Sequence, residues 1–379
     1  MLRKRHLFFD ELKNYNFKKY NFRLVLLVLA VSALGVLVIG SAADGFAKKQ
    51  LLGIAAGLIA MIIVSLIDYN FIAKFQWILY SINIGLLVSV LLFGKVVNNA
   101  KRWFSLGPLG TLQPAEFGKI IMIIVFAKFV SDNKERLNKL STLAAAGILY
   151  VIPVFLVMRE PDLSTSLVYV FLFCILLFIG GLSYKIIGWT LVVLVPLVSL
   201  FLWYVQQPGQ VLLYDHQVDR IRTFLNPHDY LLTEFYQQYN SMMAIGSGML
   251  TGKGLNNNTF TSVKGGNFIS EPQTDFIFAV LGEELGFVGS CLAIGLLLFI
   301  VIECILIAKD AMNLTGRLIA VAVASMIAFQ TFVNVGVATG LLPNTGLPLP
   351  FISYGLSSLL ANMVGIGLVL NVGLQRNRR

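Results

Sequence analysis

Charge is what this sequence has least of. Asp, Glu, Lys and Arg make up 13% of its 379 residues, about half the share of an ordinary soluble domain. Histidine is nearly absent, with only three (His6, His216 and His228), too few for a histidine-rich metal site. The three cysteines, Cys174, Cys291 and Cys304, all lie in apolar runs. That favours buried, inert thiols over a metal or disulfide role. No nucleotide-binding loop, internal repeat or low-complexity tract is present. The start, MLRKRHLFFDELKNYNFKKYNFR, is longer and more basic than a signal peptide's lead, and no small-residue cleavage site follows. It reads as an uncleaved cytoplasmic lead. The formal charge of +10 does not point to nucleic acid, because the basic residues are scattered between apolar runs. Orientation in a membrane explains them better.

What the chain has instead is apolar length. Hydrophobic residues make up 57%, and the mean hydropathy is +0.79. A window of about 19 residues predicts spans near 24–42, 51–67, 75–94, 116–131, 142–158, 163–181, 186–205, 276–307, 317–341 and 352–374. The expected fold is an all-α integral membrane protein with about ten transmembrane helices. Lys and Arg favour the side holding the N-terminal lead and the QRNRR tail, so both termini are expected in the cytoplasm. The organisation follows as a lead (1–23), one polytopic membrane domain (24–374) and a cytoplasmic tail (375–379). Within the domain, 206–275 forms a large extracellular loop between spans seven and eight. Its stretch TEFYQQYNSMMAIGSGMLTGKGL has helical spacing and then a glycine-rich stop, which predicts a helix lying at the interface.

A carboxylate near the bilayer centre costs about 2.5–3.5 kcal/mol, so the acids within these runs need a reason. EPQTDFIFAVLGEELG holds Asp275, Glu283 and Glu284. On a helix starting near Thr274, Asp275 aligns within about 40 degrees of Ala279, Gly282, Gly286, Gly289 and Ala293. Such a small-residue stripe lets a neighbouring helix approach closely. Asp275 then points into the bundle or its outer mouth, unless it only complements the helix dipole. Glu283 and Glu284, two turns deeper, suit structural pairing with Lys or Arg.

Other outer segments supply partners. AKRW places Lys101 and Arg102 beside Trp103, and QPAEFGK sets Glu116 and Lys119 at i, i+3. MREPDLSTS packs Arg159, Glu160 and Asp162 into one turn, and LLPNTGLPLPFISYG is punctuated by Pro and Gly. Irregular backbone at membrane depth fits where it lines a cavity. Together these segments predict an outward polar cavity with a carboxylate at its mouth and cations nearby. That inventory suits a lipid-linked substrate with an anionic, sugar-like head. It suits an ion-coupled transporter nearly as well.

The ordered set AKRWFSLG, LQPAEFGK, EPDLSTS, AIGSGMLTGKG, TDFIFAVLGEELGFVG and GLLPNTGLPLPFISYG resembles the SEDS family (shape, elongation, division and sporulation), of RodA and FtsW type, over residues 24 to 374. The RodA-like elongation branch is the closer in pattern. The resemblance implies a peptidoglycan glycosyltransferase that polymerises lipid II on the outer face of the bacterial cytoplasmic membrane. It implies release of undecaprenyl pyrophosphate and work beside a class B penicillin-binding protein. The family's catalytic acid falls on Asp275, and its other polar motif positions on Arg102, Glu116, Lys119, Asp162, Glu271, Ser353 and Ser357. A divalent cation (Mg or Mn) is a conceivable helper. A lipid II flippase, or an inactive scaffold for a penicillin-binding protein, is the alternative. Ser164 and Leu356 replace glycines usual in the family, and Pro272 and Gln273 alter the letters before Asp275.

Overall fold

The computed structural model describes residues 20–97, 100–105, 107, 111–207, 215–231, 233, 235–256, 262–266 and 268–375. The main helices are α1 (Phe22–Ala42), α2 (Phe46–Ser65), α3 (Gln76–Phe93), α4 (Pro114–Asp132), α5 (Leu140–Arg159), α6 (Leu163–Gly180), α7 (Tyr184–Val205), α8 (Asp215–Leu225), α9 (Tyr236–Ser247), α10 (Ile277–Lys309), α11 (Leu314–Ala338) and α12 (Leu356–Leu374). All but α4, α8 and α9 are long and apolar enough to cross a membrane, nine helices among the described residues. Local signals set their ends. Asn21 caps α1 by accepting from the Leu24 amide, Asp162 caps α6 and Asn313 caps α11.

Helix α4 coincides with the expected span 116–131 and differs from the rest by its charges. It carries Glu116, Lys119, Lys128 and Asp132 over 19 residues. It sits among α3, α6, α11 and α12, so most of it faces protein. Glu116 and Lys119 neutralise each other at 2.8 Å, and Lys128 reaches Asp132 one turn on. Helix α7 is the opposite case, with its side chains exposed almost throughout, a surface suited to lipid tails. Cys174 and Cys291 also lie on exposed surfaces, so of the three thiols only Cys304 is buried as expected.

Two features depart from the predicted plan. The segment before α4 is a small antiparallel sheet of β1 (Lys95–Val97), β2 (Ala100–Ser105) and β3 (Thr111–Leu112). Lys95 lies opposite Trp103, and Phe104 opposite Leu112. The strands contain β-branched and aromatic residues, Val96, Val97, Trp103, Phe104 and Thr111, in a stretch too short and polar to span. The second departure is in α10. The helix starts at Ile277, not near Thr274, and Gly286 (φ 65, ψ −162) breaks it.

The expected helix in the long outer segment is α9, and it docks on α10. Gly282 faces Ile245, and the Gly282 carbonyl lies against Gly248. The chain after α9 then enters the break. The amides of Phe287 and Val288 donate to the Met249 and Leu250 carbonyls at 2.9 and 3.1 Å. In return, the Lys253 and Gly254 amides donate to the Glu283 and Glu284 carbonyls at 2.9 and 3.0 Å. Backbone groups released by the break are thus satisfied by the inserted segment. Only glycine fits at Gly286: a Cβ would lie 2.3 Å from the Gly252 nitrogen, at a φ that L side chains avoid. At Gly282 and Gly286 the small-residue stripe does admit a close neighbour, and that neighbour is α9 and the loop behind it.

Candidate active site

Asp275 occupies the turn just before α10, and three consecutive carbonyls hold that turn in place. The Tyr354 amide donates to Gln273 O at 2.8 Å, Ser353 Oγ to Thr274 O at 2.6 Å, and Asn334 Nδ2 to Asp275 O at 2.8 Å. Because these carbonyls point to α11 and to the segment before α12, they cannot serve as the first turn of α10. Thr274 is therefore not an N-cap, and its hydroxyl donates to Glu271 O at 2.8 Å. Asn334 also donates to Leu347 O at 2.7 Å, tying the Asp275 turn to the Pro/Gly-rich segment. On that segment Gly346 comes so close that a Cβ there would lie 3.1 Å from Asp275 Oδ2.

Asp275 faces a cavity of about 360 Å³, whose wall includes Arg102, Gln113, Glu116, Asp162, Glu271 and Ser357. Six of the eight residues expected at the site therefore meet there: Asp275, Arg102, Glu116, Asp162, Glu271 and Ser357. Lys119 and Ser353 do not reach it. Lys119 is 1% exposed with its ammonium on Glu116, because i, i+3 spacing let the pair close on itself. Ser353 is buried in the carbonyl clamp, accepting from the Leu349 amide at 2.8 Å.

The far wall is built on Asp162. Its Oδ1 accepts from the Thr165 amide at 3.0 Å. Its Oδ2 accepts from Thr165 Oγ1 at 2.9 Å and Gln113 Nε2 at 2.6 Å. Arg102 Nη1 approaches the same oxygen at 3.5 Å, and the guanidinium stacks 4.2 Å above the Trp103 ring. Ser357 accepts from the Gln113 amide at 2.9 Å and donates to Thr111 O at 3.2 Å, locking β3 to α12. Among the described residues the wall therefore presents one cation, Arg102, on a rigid mount. Asp162 is occupied by these donors, and Glu116 is engaged by Lys119 at Oε1 only, its Oε2 having no hydrogen-bond partner among the described residues. Among the described residues no three His, Cys, Asp or Glu side chains converge as metal ligands. The donor set fits a resident divalent cation poorly.

A sequence profile of the FtsW/RodA/SpoVE cell cycle proteins matches residues 18–378. The chain belongs to this family. It is 35% identical over 356 residues to the peptidoglycan glycosyltransferase MrdB of Escherichia coli K12, covering 93% of each chain. Its fold matches the crystal structure of the Thermus thermophilus rod shape determining protein RodA with a TM-score of 0.69. That match has 30% identity and covers 95% of this chain and 98% of the other. It also matches a chain from a structure described as the structural coordination of polymerization and crosslinking by a peptidoglycan synthase complex. There the TM-score is 0.78 at 30% identity, covering 93% of this chain and 97% of that one.

Two of the departures from the usual FtsW/RodA letters have a physical reading. Leu356 has no positive φ, and its side chain lies in a notch over Gly53, where a Cβ would sit 2.5 Å away. Ser164 donates to the Thr345 carbonyl, joining α6 to the segment that carries Gly346. Glu283 takes the structural role expected of it, bonding Lys253 at 2.7 Å and the Val263 amide at 2.9 Å. Glu284 accepts from Ser41 on α1. Sequence reasoning misses Asn334 and Gln113, and it names Glu160 only as one charge in a crowded turn. A lone Asn in FVNVGVA was the one available signal for Asn334.

Proposed function

We propose that this chain is a peptidoglycan glycosyltransferase that polymerises lipid II, with Asp275 as the general base. The observation that carries the reading is the clamped Asp275 turn facing Arg102 across one polar cavity, in a member of the FtsW/RodA/SpoVE family. Asp275 takes the proton from the acceptor sugar's 4-hydroxyl. That oxygen attacks the anomeric carbon of the lipid-linked donor from the face opposite its pyrophosphate. A single displacement inverts the α-linked donor to a β-linked product. Arg102 neutralises charge growing on the departing undecaprenyl pyrophosphate, a bidentate role suited to a guanidinium. Lys119 acts one step removed, holding Glu116 at the cavity wall. Mg or Mn enters this reading only as a counter-ion carried by the pyrophosphate.

The cavity faces the outside of the cytoplasmic membrane, with both termini inside, and 206–275 is the large outer loop. A class B penicillin-binding protein is the partner that cross-links the product. The similarity to a chain of a peptidoglycan synthase complex supports that pairing. The RodA-like elongation role is preferred.

The test is polymerisation of labelled lipid II by the purified protein with its partner. Asp275→Asn should lower the rate by about 10²–10⁴-fold, the usual worth of a positioned base, while leaving thermal unfolding unchanged. A rate equal to wild type would remove Asp275 from the chemistry. A wild-type protein that moves lipid II across proteoliposomes but makes no polymer would favour the transporter reading.

A further inference from the structure

Behind the Arg102–Asp162 pair sits a carboxyl that the mechanism does not use. Glu160 follows α5 directly, in the turn to α6, and is fully buried. Its amide and that of Asp162 both donate to the Val157 carbonyl, at 3.1 and 3.4 Å, which folds the two acids into one tight turn. Asp162 has four donors, while neither oxygen of Glu160 has a hydrogen-bond partner among the described residues. On the cavity side Arg102 has a matching defect, since its Nε is buried without an acceptor.

We propose that Glu160 is a positioning residue for Arg102: as a neutral acid it leaves the guanidinium to Asp162, Trp103 and the cavity, and once ionised it draws the guanidinium inward. The inference rests on the cavity being the polymerase site. Two carboxylates two residues apart compete for one guanidinium, and the one supplied with hydrogen-bond donors, Asp162, wins while the unpartnered Glu160 stays protonated. Burial first, then the Asp162 charge, raises the proton affinity of Glu160 to a pKa of about 9, with Arg102 opposing. The charged and titratable groups around it are Asp162 in its own turn, Arg102 from β2 and Tyr169 from α6. Through Tyr169 the surroundings extend to Glu116, with its partner Lys119, on α4 and to Tyr150 on α5. The sign follows. From the ordinary carboxylate range up to about 9, the unfolded chain holds fewer protons than the folded one. Wild-type stability therefore falls with rising pH across that window, and a Gln variant lacks this slope.

Trp103 reports on the pair because Arg102 lies on its ring. The chain has four tryptophans, and Trp77, Trp189 and Trp203 are exposed and replaceable by Phe. In that Trp103-only protein, full-length and alone, alkaline titration should change the fluorescence with a midpoint of about 9. Glu160→Gln should abolish the transition. In parallel, polymerisation by wild type should fall above the same midpoint. Glu160→Gln should keep most of the rate at pH 7 and exceed wild type about tenfold one unit above it. A Trp103 signal that is flat in the Glu160 protein, or the same in both proteins, overturns the coupling without involving the polymerase reading. An unchanged alkaline limb with the Trp103 transition intact overturns the effect on catalysis. Asp275→Asn tests the polymerase reading separately.

Discussion

Asn334 shows how a neutral side chain can control a charged one. Its amide nitrogen serves the carbonyls of Asp275 and Leu347, which belong to segments far apart in the chain. Replacing it by Leu leaves two buried acceptors without donors, at about 1–3 kcal/mol each. Asn334→Leu should therefore lower the thermal midpoint. It should also reduce kcat for polymerisation more than it raises KM for lipid II, because it displaces Asp275, the proposed base, and not the binding wall. Steady-state kinetics beside thermal unfolding would check this, and an unchanged kcat would mean that Ser353 and Tyr354 hold Asp275 alone. Asp275 stood out in the sequence because an acid at the head of an apolar run needs a reason, and the ordered family motifs, not the charge alone, favoured a site role over a helix-dipole one. Its clamp was not legible, since every partner in it is tens of residues away. Lys119 misled for the converse reason: a residue within reach of a cavity in sequence terms was already satisfied by Glu116.

At the scale of elements, the inserted segment 249–254 makes α10 two helices in practice. The Lys253–Glu283 pair pins that insertion, with Glu283 2% and Lys253 24% exposed at the side chain. Lys253→Met leaves a buried carboxylate with only the Val263 amide. The loss should fall toward the low end of the about 3–5 kcal/mol typical of breaking a buried pair, because Lys253 is partly solvated. Lys253→Met with Glu283→Gln should recover more than half of it, measured as detergent-solubilised thermal stability. If the double variant is no better than the single, the pair does not pin the loop. The break itself could not be read from the sequence. Gly286 belongs to a stripe of small residues that explains itself as helix packing, and the same glycine also serves a backbone turn.

For the whole molecule, the spans were legible because lipid leaves the backbone no alternative to helix, and even the charged α4 fell on its expected residues. The small sheet was not, because short strands carry little periodic signal. Orientation is the property to test at this scale. With the native cysteines replaced, Ser270→Cys should react with a membrane-impermeant maleimide added outside intact cells. Glu135→Cys should react only after permeabilisation. The reverse pattern would turn the proposed topology inside out and move the cavity away from the extracytoplasmic substrate.

The break at Gly286 has a mechanical consequence. A continuous rod transmits tilt from one leaflet to the other, and a helix pressed by a thinner or thicker bilayer answers by tilting. Here the stub 277–286 is fastened to α9 and to the segments before α12, while 287–309 forms a separate rod below the inserted loop. The inserted loop, bonded to both halves, lies between that rod and Asp275. With Asp275 as the proposed base, the break lets the base stay registered to α9 and to the segments before α12 when the rest of α10 tilts.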